Sequence, residues 1–126
     1  MTEKLEIYKC MICNNVVEIA HNGIGELVCC NENMLLMTEY VPNIENAHYA
    51  HIENIDNLTK RVVFNHPMTS EHYIEYVEAI SKDKKYLKRK FFNSDEKCEF
   101  TFRCECKEGF YIRLYCNKDG VWVTNK

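Results

Sequence analysis

The sequence predicts an all-β chain, and three observations carry that prediction. No segment shows a long, unambiguous helical stripe. Two runs near the C-terminus alternate apolar and polar side chains with a period of two. Short extended runs elsewhere are punctuated by turn-forming Asn, Gly and Asp pairs.

Taken in order, Leu5-Glu6-Ile7-Tyr8 reads as a short strand, and Asn14-Asn15 and Gly23-Ile24-Gly25 as turns. Val41-Pro42-Asn43 looks like a connection, dividing the chain into a small unit over 1–38 and a larger one over 39–126. Leu58 to Phe64 is rich in β-branched residues and reads as a strand. Tyr73, Tyr76, Val77 and Ile80 fit a helical stripe with Glu71, Glu75 and Glu78 outside it, so periodicity favours a helix there. Cys98, Phe100, Phe102, Cys104 and Cys106 alternate with polar residues, as do Phe110, Ile112, Leu114 and Cys116 with Tyr111, Arg113 and Tyr115. With Lys107-Glu108-Gly109 between them, the two runs predict a hairpin. Asn117-Lys118-Asp119-Gly120 is a turn, and Val121-Trp122-Val123 a last strand.

Composition narrows the function classes. The 126 residues suit one domain, or a small domain with an appendage. A net charge of -3 lacks the basic footprint of a nucleic-acid binder. No stretch approaches the roughly 18 apolar residues of a membrane span, and Met1–Lys9 has no apolar signal core. The expectation is a cytoplasmic protein, in which clustered cysteines are metal ligands or redox groups rather than disulfides.

Cys10-Met11-Ile12-Cys13 is a C-x-x-C pair, and the adjacent Cys29-Cys30 follows about one hairpin later. Four soft thiolates select zinc or iron. Zinc would make the site a staple, iron an electron carrier. Adjacent side chains tend to point apart, so two such ligands on one ion demand a distorted backbone. A vicinal disulfide at Cys29-Cys30 is the competing reading.

C-x-x-C followed by C-C at this spacing, with Leu5-Glu6-Ile7-Tyr8-Lys9-Cys10 and Glu26-Leu27-Val28-Cys29-Cys30 around it, resembles desulforedoxin and the N-terminal domain of desulfoferrodoxin. His66-Pro67-Met68, Glu71-His72-Tyr73-Ile74-Glu75 and Cys116-Asn117 with Gly120 and Trp122 resemble the second-iron words of the same family, the two-iron superoxide reductases. The resemblance implies a desulforedoxin-like domain followed by an immunoglobulin-like, seven-stranded β-sandwich, with residues 72–80 a strand. It implies two Fe ions per chain: a distorted Fe(Cys)4 centre on Cys10, Cys13, Cys29 and Cys30, and a catalytic non-haem iron, with zinc a possible substitute. It also implies superoxide as substrate, a rubredoxin-type electron donor and a homodimer.

At the second iron the family uses four equatorial histidines and an axial thiolate. Imidazoles suit ferrous iron, and an axial thiolate pushes electron density toward bound oxygen species. His48, His66, His72 and Cys116 match that set. The fourth histidine does not: the family's C-N-x-H-G-x-W is here Cys116-Asn117-Lys118-Asp119-Gly120-Val121-Trp122. Asp119 either ligates the metal as a carboxylate or serves only as a turn residue. The glutamate and lysine that usually precede the first histidine are replaced by Asn46 and Ala47, with Glu45 one residue earlier. Losing the lysine removes a charge that steers an anion.

His51, three residues past His48, reads as a surface or hydrogen-bonded residue, and His21 as exposed. Cys98, Cys104 and Cys106 read as ordinary core thiols. Two functions follow. One is a superoxide reductase giving hydrogen peroxide and protecting against oxidative stress. The other is an electron-transfer or iron-binding protein whose second site is degenerate at Asp119.

Overall fold

A computed structural model describes all 126 residues, and the chain folds as two compact units, Met1–Thr38 and Glu39–Lys126. Both are built from β-strands without a helix, and no helix is long and apolar enough to cross a membrane.

In the first unit, β1 (Ile7–Lys9) pairs antiparallel with β2 (Val16–Glu18). A separate two-stranded hairpin joins β3 (Val28–Cys29) to β4 (Glu32–Asn33). The strand β5 (Leu35–Leu36) then pairs with β1 from its other side. The first strand starts later than the predicted Leu5, because Leu5 adopts φ 72° and leaves the extended region.

The second unit is a sandwich of two sheets. One has the order β10-β9-β12-β13-β6, formed by β6 (Glu39–Tyr40), β9 (Ile74–Ser81), β10 (Leu87–Phe91), β12 (Phe110–Cys116) and β13 (Gly120–Thr124). Its pairings are antiparallel except β13 with β6. The other has the order β11-β8-β7, from β7 (His51–Asn54), β8 (Thr59–Val63) and β11 (Glu99–Arg103). Val62, Phe64, Phe100 and Phe102 meet Val77, Ala79, Ile112 and Leu114 in one buried cluster between them. Relative to the expected seven strands there is an eighth, the short β6.

Three expectations are corrected. The stretch with a helical stripe is the strand β9. It is flanked by β10 and β12 and buried on both faces, so it lacks the alternation that marks a half-exposed strand. Glu78 on it is fully buried and binds Arg113 Nε at 2.8 Å and Arg89 Nη2 at 2.6 Å. The two alternating runs at 98–116 do not form a hairpin. β11 pairs with β8, while β12 pairs with β9 and β13, so the chain between them crosses from one sheet to the other. Alternation fixes which face a side chain takes, not which strand lies beside it. Cys104 and Cys106 are not free thiols: they lie past the end of β11, half-buried, Cys104 packed against the core cluster, and are bonded to each other as a disulfide. Cys98 is a free, half-buried thiol packed against the core cluster.

Candidate metal centres

The first cluster is built by two turns. Between β1 and β2, Asn14 donates its N–H to the Cys10 carbonyl at 2.9 Å, and Cys10 donates to the Asn15 carbonyl at 2.9 Å. Asn14 takes φ 67°, which closes the turn carrying Cys10 and Cys13. Between β3 and β4, Cys30 and Asn31 take φ 54° and 62°. A left-handed residue costs about 1–2 kcal/mol outside glycine. Here that distortion lets neighbouring cysteines face one point.

The four Sγ atoms all lie within 4.8 Å of one another. Cys13 and Cys29 Sγ are 3.6 Å apart, and Cys29 and Cys30 Sγ 3.9 Å. A tetrahedral ion with Zn–S or Fe–S bonds of about 2.3 Å holds its sulfurs roughly 3.8 Å apart. The cage therefore fits such an ion. The amides of Cys13 and Ile12 pull the Cys10 thiol down to about 6. Hydrogen bonds to Cys13, Cys29 and Cys10 push Cys30 up to about 12. Four crowded sulfurs compete for protons, and a cation relieves that competition.

The second cluster gathers at one end of the sandwich. His66 follows β8, His72 precedes β9, Cys116 ends β12, Asp119 lies in the turn to β13, and His48 comes from the loop before β7. The register of β9 against β12 slips between Tyr115 and Cys116, so that Cys116 pairs with Ile74 and Glu75 bulges. Such a bulge re-aims the side chain beside it.

His66 Nε2 lies 3.2 Å from His48 Nε2 and 3.4 Å from Cys116 Sγ. Asp119 Oδ2 lies 3.2 Å from His48 Nε2, 3.0 Å from His72 Nε2 and 3.6 Å from Cys116 Sγ. Ligands at right angles on an ion with bonds of about 2.1 Å sit about 3.0 Å apart, so this donor set also fits a metal. The mutually close set is His48, His66, Cys116 and Asp119. His72 joins through Asp119 and packs its ring edge-on to His66 at 4.6 Å. Asp119 is thus both a turn residue and a member of the cluster.

The surroundings fix which atoms point inward. Asn46 Oδ1 accepts from the His48 main-chain N–H and from its Nδ1, both at 2.8 Å. The His48 proton therefore sits on Nδ1, and the Nε2 lone pair faces the cluster. His66 Nδ1 donates to the Pro67 carbonyl at 2.6 Å with the same consequence. Trp122 stacks on the His48 ring at 4.3 Å and 5°, and its Nε1 donates to the Asp119 carbonyl at 3.0 Å. Asn117 clamps the His72 segment, accepting from Tyr73 N–H and donating to the Glu71 carbonyl, each at 2.9 Å.

Charge follows burial. Cys116 is fully buried, which raises its thiol, although the amides of Asp119 and Lys118 act against this. Burial holds His48 and His66 below the usual histidine range. Burial alone would raise Asp119, but hydrogen bonds from His72 and Cys116 and the charges of His48 and His72 outweigh it and hold the carboxyl low. The Asp119 side chain is 42% exposed and that of His72 30%, against 9% for His48. Solvent therefore reaches the cluster from the Asp119 side.

His51 begins β7, exposed, with its ring against Tyr49 at 4.8 Å. His21 and Glu45 are exposed in loops. Sequence reasoning treated Asn46 only as a lost glutamate and did not assign the clamping role of Asn117. A short amide two residues before a histidine is the signal that could have revealed the first, since Asn commonly accepts from the backbone two residues on.

Comparison with known proteins bears on this geometry. The family model described as the desulfoferrodoxin N-terminal domain matches residues 2–37, and that described as desulfoferrodoxin matches 34–125. The desulfoferrodoxin of Desulfarculus baarsii is 41% identical over 125 residues, covering 97% of each chain. That of Nitratidesulfovibrio vulgaris is 38% identical, again over 97% of each. The desulforedoxin of Megalodesulfovibrio gigas is 43% identical over 35 residues, 28% of this chain and 95% of that one. Among solved structures, the superoxide reductase from Treponema pallidum superposes with a TM-score of 0.70 at 20% identity, covering 98% and 99% of the two chains. At that identity the likeness is one of fold.

Proposed function

From the premise that the chain belongs to the desulfoferrodoxin family, we propose that it is a superoxide reductase of the two-iron type. One observation carries the reading: the Nε2 atoms of His48 and His66, the Cys116 thiol and the Asp119 carboxylate converge at the spacing of ligands on one ion, with His72 Nε2 3.0 Å from Asp119 Oδ2. In this reading Cys10, Cys13, Cys29 and Cys30 hold an accessory iron, and His48, His66, His72, Cys116 and Asp119 hold the iron at which superoxide reacts. A ferrous ion held there would supply the one electron that, with two protons, turns superoxide into hydrogen peroxide without releasing oxygen.

The protein's own residues have separable tasks. Asn46 and the Pro67 carbonyl hold the protons of His48 and His66 away from the metal position. The Asp119 N–H donates to Cys116 Sγ at 3.3 Å and steadies a thiolate. Trp122 covers the His48 ring and excludes water from that side. The exposed side at His72 and Asp119 admits a small anion. A rubredoxin-type electron donor, a homodimer and a cytoplasmic setting complete the proposal.

A second reading has its own support. His72 Nε2 can donate to Asp119 Oδ2 at 3.0 Å, so this carboxylate has a partner within the protein and need not ligate an ion. The protein would then carry electrons or bind iron through its four-cysteine site alone, or hold zinc. Metal analysis separates the two: two irons per chain favour the enzyme, one favours the carrier. Stopped-flow mixing of the reduced protein with superoxide then tests the chemistry. Oxidation of the second iron no faster than spontaneous dismutation would sink the enzyme reading.

A further inference from the structure

We propose that Cys104 and Cys106 form a reversible dithiol–disulfide site, separate from both metal clusters, that is oxidised by peroxides and reduced by small thiols. The inference does not depend on the superoxide reading. It concerns two cysteines to which neither metal cluster has a claim.

Position is the first argument. The pair follows β11 in the segment crossing between the two sheets. Cys98, at the other end of β11, donates its Sγ–H to the His66 carbonyl at 3.5 Å. Six residues of nearly extended chain then place Cys104 about 20 Å from that end. The pair is therefore remote from the His48 cluster within this unit.

Local geometry is the second. The Cα atoms are 5.1 Å apart, within the range a disulfide spans, and the two sulfurs are bonded. The Cys104 N–H donates to the Leu58 carbonyl at 2.8 Å, and the Gly109 N–H to the Cys106 carbonyl at 3.0 Å. These bonds hold the segment in place from both ends, so the sulfurs stay together in either redox state.

Access and electrostatics are the third. Both cysteines are half-buried and form the wall between two shallow clefts. One cleft is bordered by Tyr86, Lys88 and Arg103, the other by Lys60 and Lys107. Glu105 lines the second cleft. The Cys106 N–H lies 3.2 Å from Cys104 Sγ and donates to it. A partly open sulfur that accepts from an amide is the setting in which reactive cysteines occur.

The bridge closes a loop of three residues. So short a cross-link removes little entropy from the unfolded chain, which makes it a poor staple and suits a pair that cycles. The chemistry balances. The Cys104 thiolate attacks one oxygen of hydrogen peroxide and expels hydroxide, which takes a proton to give water and a sulfenic acid. The Cys106 thiol displaces that hydroxyl as a second water and closes the disulfide. Two thiols and one peroxide thus give one disulfide and two waters. Two molecules of glutathione return the dithiol and leave as their own disulfide.

Trypsin isolates the site, cutting after Arg103 and Lys107. Cleavage after Lys97 gives a separate peptide carrying Cys98 as an internal control. The iron-loaded full chain is reduced with glutathione, mixed with equimolar hydrogen peroxide, quenched with N-ethylmaleimide and digested. The 104–107 peptide is expected to lose both labels at least ~10-fold faster than the Cys98 peptide loses its one, and to regain both on native treatment with glutathione. Cys106→Ser should leave Cys104 as a sulfenic acid trapped by dimedone. Labels that persist, loss no faster than at Cys98, or a bridge that resists glutathione in the folded protein would each overturn the proposal.

Discussion

Replacing Asn46 with alanine tests whether the second cluster is organised from outside its ligand shell. Asn46 Oδ1 accepts two hydrogen bonds at 2.8 Å, from the main-chain N–H and from Nδ1 of His48. His48 is only 7% exposed, so the Nδ1–H has little water to turn to. Stranding one buried donor costs about 1–3 kcal/mol, and the half-exposed main-chain N–H adds less. The ring also becomes free to carry its proton on Nε2, which blocks the metal-facing lone pair. Removing an outer-shell partner of a metal-bound histidine typically weakens binding roughly 10–100-fold. We therefore expect Asn46→Ala to lose ferrous or cobaltous affinity at the second site by that factor, read by competition with a chelator. The metal-free variant should also melt earlier, by about 1–3 kcal/mol of stability. Asn46→Asp keeps the acceptor and should stay within roughly threefold of wild type. If Asn46→Ala binds as tightly as wild type, or Asn46→Asp is as weak as the alanine variant, the orientation argument fails.

Other outcomes follow from the same contacts. Asp119→His should shift the thiolate-to-iron absorption of the oxidised protein, and an unchanged spectrum would mean that position 119 does not face the metal. Glu78→Ala removes the carboxylate that bonds buried Arg113 Nε at 2.8 Å while Glu39 stays on its Nη1 at 3.2 Å; losing a hydrogen bond between charged groups costs about 1.5–3 kcal/mol, so thermal denaturation should show a fall of at least roughly 6 °C. Burial holds His48 and His66 below the histidine value in the folded chain, so below about pH 6.5 the unfolded chain binds more protons. Metal-free protein should then be most stable above that pH and lose stability as pH falls toward 5; melting curves that are flat or rise over this range would contradict the burial argument.

The legible parts of this protein are those where chemistry is local in sequence. Cys10-x-x-Cys13 and Cys29-Cys30 announced a thiolate cage because each pair is made by one turn. The backbone distortion required by Cys29-Cys30 is the positive φ at Cys30. The words around His66, His72 and Cys116 marked residues that one end of the sandwich brings together. β9 was not legible, since a strand buried on both faces carries no alternation, and its buried Glu78 imitates the polar side of a helix. Strand pairing at 98–116 was invisible for another reason: a turn followed by a second alternating run is common to a hairpin and to a crossing between sheets. The Cys104–Cys106 bridge was hidden because period-two counting continued past the end of β11 and set both side chains on one face of a strand.

The substitution at position 119 alters the charge that an incoming anion meets. A ferrous ion with four neutral imidazoles and one thiolate would carry +1; with three imidazoles, a thiolate and the Asp119 carboxylate it would carry zero. Asp119 is on the exposed side of the cluster, the side open to an incoming anion, and Ala47 supplies no compensating cation. Lys118, exposed beside it in sequence, offsets part of the loss. Two unit charges 4 Å apart interact by about 1 kcal/mol in bulk water and several times that near a protein surface, enough to change encounter ~5-fold or more. The extra negative charge would also favour giving up an electron, so slower approach and easier transfer would oppose each other at an iron held here. Asp119→Asn separates them. At low ionic strength it should react with superoxide about 5-fold faster in the bimolecular phase. The advantage should shrink as salt rises and the Debye length falls below about 10 Å. Equal rates for the two proteins at low salt, or a difference that salt does not touch, would show that the Asp119 carboxylate exerts no field on the approaching anion.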